Sequence, residues 1–264
     1  MSDPVTILIL EHDSANPPLL LGDWLTEAGA HFDVRHLHAG DTVPPDVSKW
    51  NAVIGLGGYL GVYDDDLAPW LAGARALFGR LVTGSTPTLA IGLSAQLLAV
   101  AAGGRVQRAD GGYRLGANLV AKRDATEGDL LLGDIPITPD VMQFHRDSIS
   151  ALPGGSRMLL NSLADPVDAF RVGSSAWGLQ FHIETPPETL RSWLIDPRRE
   201  ITEEDIERSD RRFGESLDES AELMAQSWRA VAHRFVELVR EGIPQTATGH
   251  AAPRLPIVTS ELGR

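Results

Sequence analysis

The stretch that decides the fold is "PTLAIGLSAQLLAVAAGG", Pro87 to Gly104. Thr88 to Leu93 reads as a short buried strand, and Ser94 to Ala102 as an apolar helix that follows it with only a tight turn of small residues between. Such a strand–turn–helix elbow lifts one side chain to the carboxyl edge of a sheet. It also aims the helix's amino end at any negative charge that develops there.

Working outward, strand-like and helical patterns alternate. "VTILIL" (5–10), "FDVRHL" (32–37) and "NAVIGLGG" (51–58) predict strands, while "PLLLGDWLTEAG" (18–29) and "LAPWLAGARALFGRL" (67–81) predict helices. This is the rhythm of a mostly parallel α/β sheet covered by helices on both faces, in which ligands bind at the carboxyl ends of the strands. From about Arg105 the pieces become shorter and β-prone, which predicts a hairpin region returning to the sheet. Thr202 followed by Asp205 resembles a capping box at a helix start. Leu217, Ala221, Met224, Trp228, Val231, Phe235 and Leu238 recur at alternating spacings of four and three, on one face of a long helix. That face packs on the chain's own sheet or else forms a homodimer or partner contact. The expected organisation is residues 1–195 as the α/β domain, 196–245 as a helical extension and 246–264 as a loose tail.

Composition narrows the chemistry. Across 264 residues there are 23 Lys+Arg against 36 Asp+Glu, a formal net charge of -13. Repulsion opposes docking to nucleic acid or to an anionic membrane surface. No cysteine is present, so thiol nucleophiles, disulfides and thiolate metal sites are excluded. The start "MSDPVTILIL" lacks a basic leader and a signal-length apolar run, and no stretch reaches the length of a membrane helix, so a cytoplasmic protein is expected.

Three segments carry candidate chemistry. In "WGLQFHIE" (177–184), strand alternation places Gln180, His182 and Glu184 on one face, where the carboxylate can orient the imidazole as a base; a solvated His/Glu pair is the plainer alternative. In "GLGGYLGVYDDD" (55–66), the glycines permit the close backbone approach an oxyanion hole needs. Its Asp64, Asp65 and Asp66 read as a solvated helix start rather than a metal site. The elbow is the third.

Together these segments resemble the class I (triad-type) glutamine amidotransferases, in particular their GMP-synthase-like glutaminase domains, from about Val5 to Glu188. The elbow looks like the family's "P-V-L-G-I-C-L-G-A-Q-L-L-A", "GGYLGVYDD" like its oxyanion loop, and "WGLQFHIE" like its "G-x-Q-F-H-P-E". "FHRDSISALP" (144–153), with His145, resembles a segment of the glutamine pocket. The resemblance implies a flavodoxin-like fold and a role in nitrogen metabolism. His182 would be the base and Glu184 its orienter; Gln96 and Gly57 would contact substrate, and the amides of Gly58 and Leu93 would form the oxyanion hole. No cofactor or metal is implied. Laid without gaps, the elbow puts Gly92 where the family's cysteine belongs, and Ser94 two positions later, where a hydroxyl caps amides or lines the pocket. Aligning Ser94 with the cysteine requires a two-residue deletion inside the turn. Ala90, Ser94 and Ile183 also depart from the family motifs.

The expectation is therefore a stand-alone pseudoenzyme that binds glutamine or a related γ-glutamyl or carboxylate ligand and acts through a partner. Two rivals stand beside it: an amide or ester hydrolase using Ser94 or activated water with His182, and a non-catalytic interaction subunit assembled through the Leu217–Leu238 helix.

Overall fold

The computed structural model describes residues 4–213 and 215–243. The first half lays down β1 (Val5–Glu11), α1 (Leu19–Glu27), β2 (Ala30–His36), β3 (Ala52–Gly55), α2 (Trp70–Thr83), β4 (Thr88–Ile91) and α3 (Leu93–Ala101). Eight further strands follow: β5 (Arg105–Arg108), β6 (Arg114–Leu119), β7 (Ala121–Lys122), β8 (Asp140–His145), β9 (Asp147–Ala151), β10 (Arg157–Asn161), β11 (Ala169–Val172) and β12 (Ala176–Leu179). Helices α4 (Pro187–Leu194), α5 (Glu203–Phe213) and α6 (Glu215–Glu241) complete the described chain.

The eight-stranded sheet has the order β2-β1-β3-β4-β12-β11-β10-β7. Its first five strands are parallel and the last three antiparallel. Counting β12 as the fifth parallel strand gives the 2-1-3-4-5 order of the flavodoxin-like fold. Two antiparallel pairs, β5 with β9 and β6 with β8, form the predicted hairpin region above the carboxyl edge.

Strand alternation divides the core into two. Ile7, Ile9, Ile54, Leu89, Ile91 and Trp177 face one apolar layer, shared with α1 and α6. Leu8, Leu10, Val53 and Ala90 face the other, under α2 and α3. Every residue of β3 and β4 is buried, which is why these strands read as unbroken apolar runs.

The stripe on α6 is absorbed by the chain itself. Leu217, Met224, Trp228, Val231, Phe235 and Leu238 are buried in the first layer, with Ala221 half-buried. Trp228 tilts against Phe181 at 4.9 Å and donates its indole N–H to the Asp140 carbonyl at 3.1 Å. The seven-residue face is thus a core element and not an interface left open for a dimer. The capping box is formed: Asp205 N donates to Thr202 Oγ1 at 3.1 Å, and Thr202 N to Asp205 Oδ2 at 3.1 Å. The tail from 246 lies outside the described residues. Among the described residues no helix is long and apolar enough to cross a membrane.

Two local expectations are corrected. Strand β12 ends at Leu179, so Gln180, His182 and Glu184 do not share a strand face. The chain leaves the ladder because His182 N donates instead to Met142 O of β8, at 2.8 Å. Asp64, Asp65 and Asp66 precede α2, which begins only at Trp70. Asp64 accepts from Gly61 N at 2.7 Å and Asp65 pairs with Arg75 at 2.6 Å, so both brace the loop rather than a helix dipole.

Candidate active site

Gly92 links β4 to α3 with φ 55° and ψ -118°, a conformation that L side chains rarely adopt. Its N–H donates to Leu179 O at 2.8 Å, tying the turn to the end of β12, and its carbonyl accepts from Gln96 N at 3.2 Å. The elbow is therefore held from both sides. A Cβ placed on Gly92 would lie 3.1 Å from His182 Cε1 and 3.5 Å from Nε2. The structure thus brings the turn and the imidazole face to face, as the sequence motifs require.

His182 and Glu184 form a buried dyad. Nδ1 of His182 lies 2.7 Å from Glu184 Oε1, and Glu184 Oε2 accepts from Ile183 N at 2.9 Å. With Nδ1 engaged by the carboxylate, the hydrogen-bond pattern assigns the proton there and leaves Nε2 as the lone-pair nitrogen toward Gly92. Trp193 packs against the imidazole in a steeply inclined ring contact, with centroids 4.9 Å apart and planes at 65°. From the opposite side Gly57 approaches so closely that a Cβ there would meet His182 Cε1 at 2.7 Å, which only glycine avoids.

A narrow cleft opens over this turn, lined by Gly58, Gly92, Leu93, Gln96, His145 and His182 together with Tyr59, Tyr113, Arg146, Asp147 and Arg199. It encloses about 30 Å³, the space of a few waters. Leu93 is the first residue of α3, so its N–H has no partner within the helix, and the residue lines the cleft. Gly58 faces the same space from the β3 loop. Gln96 reaches the cleft, but its side-chain amide donates to Asp147 O at 2.6 Å, with Gln180 Oε1 further off at 3.4 Å.

Ser94 is placed elsewhere. It is fully buried and does not line the cleft among the described residues. Its hydroxyl donates to Leu56 O at 2.7 Å and lies 3.1 Å from His12 Nε2, so it neither caps α3 nor lines the pocket. The partner imidazole of His12 is pushed down to about 4, chiefly by burial and then by neighbouring His38, and stays neutral.

The floor of the cleft is a polar chain that the sequence did not reveal. His145 Nδ1 lies 2.9 Å from Asp147 O and its Nε2 2.9 Å from Gln143 Oε1; Gln143 in turn donates to Asp168 at 2.5 Å. Both ring nitrogens of His145 are thus engaged, and burial lowers its pKa. Burial, with Asp165 adding repulsion, pushes the Asp168 carboxyl up to about 7. Along the wall, buried Asp13 pairs with Arg199 at 3.0 Å and with Arg198 at 3.1 Å, and Arg199 also donates to Asn16 at 3.1 Å. The Arg199 guanidinium lies over Trp193 at 4.6 Å, and its carbonyl accepts from Tyr113 Oη–H.

An α/β sheet of this order, with an elbow facing a His/Glu dyad at its carboxyl edge, defines an amidotransferase-type architecture. Comparison with known proteins agrees. The family model for glutamine amidotransferase class-I matches residues 25–196. GMP synthase [glutamine-hydrolyzing] of Porphyromonas gingivalis is 31% identical over 143 residues, covering 54% of this chain and 26% of that protein. Its counterpart in Thermus thermophilus is 33% identical over 148 residues, covering 55% and 27%. The chain thus spans about a quarter of the length of the curated relatives it matches. Among solved structures, a glutamine amidotransferase from Thermotoga maritima superposes with a TM-score of 0.74 at 25% identity, over 88% of this chain and 98% of that one. A glutamine amido transferase from Methylobacillus flagellatus gives 0.73 at 21% identity, over 95% and 98%. The chain belongs to the class I glutamine amidotransferase family.

Proposed function

We propose that this protein is an amidotransferase-family pseudoenzyme. Its cleft would bind glutamine or a related γ-glutamyl or carboxylate ligand, without hydrolysing it, and pass the occupancy to a partner. The observation that carries this reading is the position of Gly92, where the backbone bends as a nucleophile elbow 3.5 Å, Cβ to Nε2, from His182 and offers no side chain. With no cysteine anywhere in the chain, a thioester cannot form.

The remaining groups support recognition of a polar, charged ligand. Leu93 of the turn and Gly58 of the β3 loop line the cleft beside the His182/Glu184 pair, with Arg146 and the Asp13-paired Arg199 also in its lining. In a dissected serine hydrolase triad such binding groups alone keep a residual rate on the order of 10³–10⁴ over water, well below a working enzyme. The relatives named glutamine-hydrolyzing are about four times longer than the region they share with this chain. Hydrolysis by Ser94 gains no support from its geometry, because its hydroxyl is committed to Leu56 and His12.

Entry of an amino acid into so narrow a cleft requires its lining to move, and Arg146, whose ion pair is with the exposed Glu200 at 3.2 Å, is the lining side chain that tests this. Calorimetric titration with glutamine, glutamate and γ-glutamyl amides tests the proposal. Saturable binding of one of them that is weakened in Arg146→Ala, with no ammonia released, is the expected result. Absence of any binding by the folded protein would sink it.

A further inference from the structure

We propose that Glu11, His36 and His38 form a binding site for a divalent transition metal of the zinc type, separate from the cleft. Strands β1 and β2 are parallel neighbours in register, so Glu11 at the end of one lies beside His36 at the end of the other. His38 follows in the one-turn 3₁₀ helix Leu37–Ala39. The next residues fold back on His36: its N–H donates to Asp41 Oδ2 at 2.8 Å, and Asp41 N donates to its carbonyl at 3.2 Å. Topology and turn together bring three side chains, from two segments about 25 residues apart, to one point.

Their ligand atoms converge. Glu11 Oε1 lies 2.8 Å from both His36 Nδ1 and His38 Nε2, and the three atoms lie within 4.8 Å of one another. A tetrahedral zinc ion with bonds of about 2.0–2.1 Å separates its ligands by about 3.3 Å. Small rotations of the two imidazoles therefore open a space of the right size. The donor set, two neutral imidazoles and a carboxylate, suits zinc, nickel or copper rather than magnesium or calcium, which require oxygen.

Burial is graded as a metal site requires. The Glu11 side chain is 5% exposed, while His38 is 24% and His36 51% exposed, so a fixed anionic anchor sits beneath two imidazoles with access to solvent. Among the described residues, those two histidines are the basic side chains within ion-pair distance of Glu11, and neither brings a permanent cation to it. A metal ion would supply that charge while leaving a fourth coordination position open to water.

Zinc titrated calorimetrically into the metal-free, untagged full chain tests this assignment, with cobalt(II) absorption as a second readout of nitrogen-ligated tetrahedral geometry. One ion per chain is expected, with affinity reduced at least about tenfold in His36→Ala and in His38→Ala and unchanged in His31→Ala. Because His36 and His38 are partly exposed, their variants keep the test open even if Glu11→Gln does not fold. Equal zinc binding by the parent protein and by the His36→Ala/His38→Ala double variant would overturn the proposal.

Discussion

Restoring a thiol at the elbow is the most demanding test of the cleft's geometry, and Gly92→Cys has two opposed consequences. The backbone there has φ 55° and ψ -118°, which costs a non-glycine residue about 1–3 kcal/mol. The new Cβ also meets Gly57 Cα and His182 Cε1 at 3.1 Å, tighter than ordinary contact. Small shifts to relieve that crowding add about 1 kcal/mol. A total loss of about 2–4 kcal/mol is expected, read as a lower denaturant midpoint at unchanged slope. In return, a sulfur one bond beyond that Cβ lies beside His182 Nε2, whose ring is already oriented by Glu184. Since the chain contains no other cysteine, alkylation reports on this thiol alone. The thiol should react with iodoacetamide below its ordinary pKa of about 8.5, and should lose that advantage in Gly92→Cys/His182→Ala. Ammonia release from glutamine above the parent's level should accompany it. A folded Gly92→Cys protein whose thiol titrates normally, with or without His182, would refute the placement of Gly92 opposite the imidazole.

Ser94→Ala removes the acceptor of His12 and the donor to Leu56 from a fully buried site, so urea unfolding should show a loss of about 1–3 kcal/mol while ligand-binding heats stay unchanged. Trp228→Ala should cost about 3–5 kcal/mol in the same assay, because its indole fills the layer between α6 and Phe181. Asp168 keeps its proton to about 7 in the folded state, whereas the unfolded chain releases it near 3.8, so this group makes stability fall as pH rises through that window. Asp168→Asn lacks the slope, and its stability relative to the parent should rise by on the order of 2–4 kcal/mol between pH 4 and 7, followed by denaturation at each pH. His12 acts with the opposite sign: its pKa of about 4 lies below the ordinary 6.5, so its contribution is present above 6.5 and is lost as pH falls toward 4.

How much of this was legible in the sequence depends on the range of each interaction. Buried parallel strands announce themselves as continuous apolar runs, and the elbow and the His182/Glu184 spacing are local, so sheet, turn and dyad could be read directly. The end of β12 could not, because His182 N leaves the strand ladder for Met142, forty residues away in sequence. Asp64 to Asp66 matched a helix start in composition, yet their partners Gly61 and Arg75 place them in the loop before it. The Asp13–Arg199 pair joins residues 186 apart, and "IDPRRE" looks like any charged surface turn. Nothing in its spacing marks Arg199 as 3% exposed and lining the cleft.

That long-range pair also decides how the C-terminal helices relate to the site. Removing Arg199 would leave Asp13 buried beside the exposed Arg198 alone, and breaking a buried pair costs about 3–5 kcal/mol because a charge is left uncompensated. The same turn receives Tyr113 Oη–H on the Arg199 carbonyl, and Asp205 of α5 accepts from Tyr113 N at 3.2 Å. The α6 stripe continues this attachment into the core under β1. Cleft wall, segment 196–205 and α6 are thus linked by direct contacts and a shared core. Deleting the helices would uncover the first core layer and remove Asp205 from Tyr113 N, so loss of binding after truncation could not be assigned to a lost partner alone. Substitutions in the cleft lining away from that pair, such as Arg146→Ala at a half-buried position, separate ligand recognition from folding because they leave the Asp13–Arg199 pair and the α6 core intact.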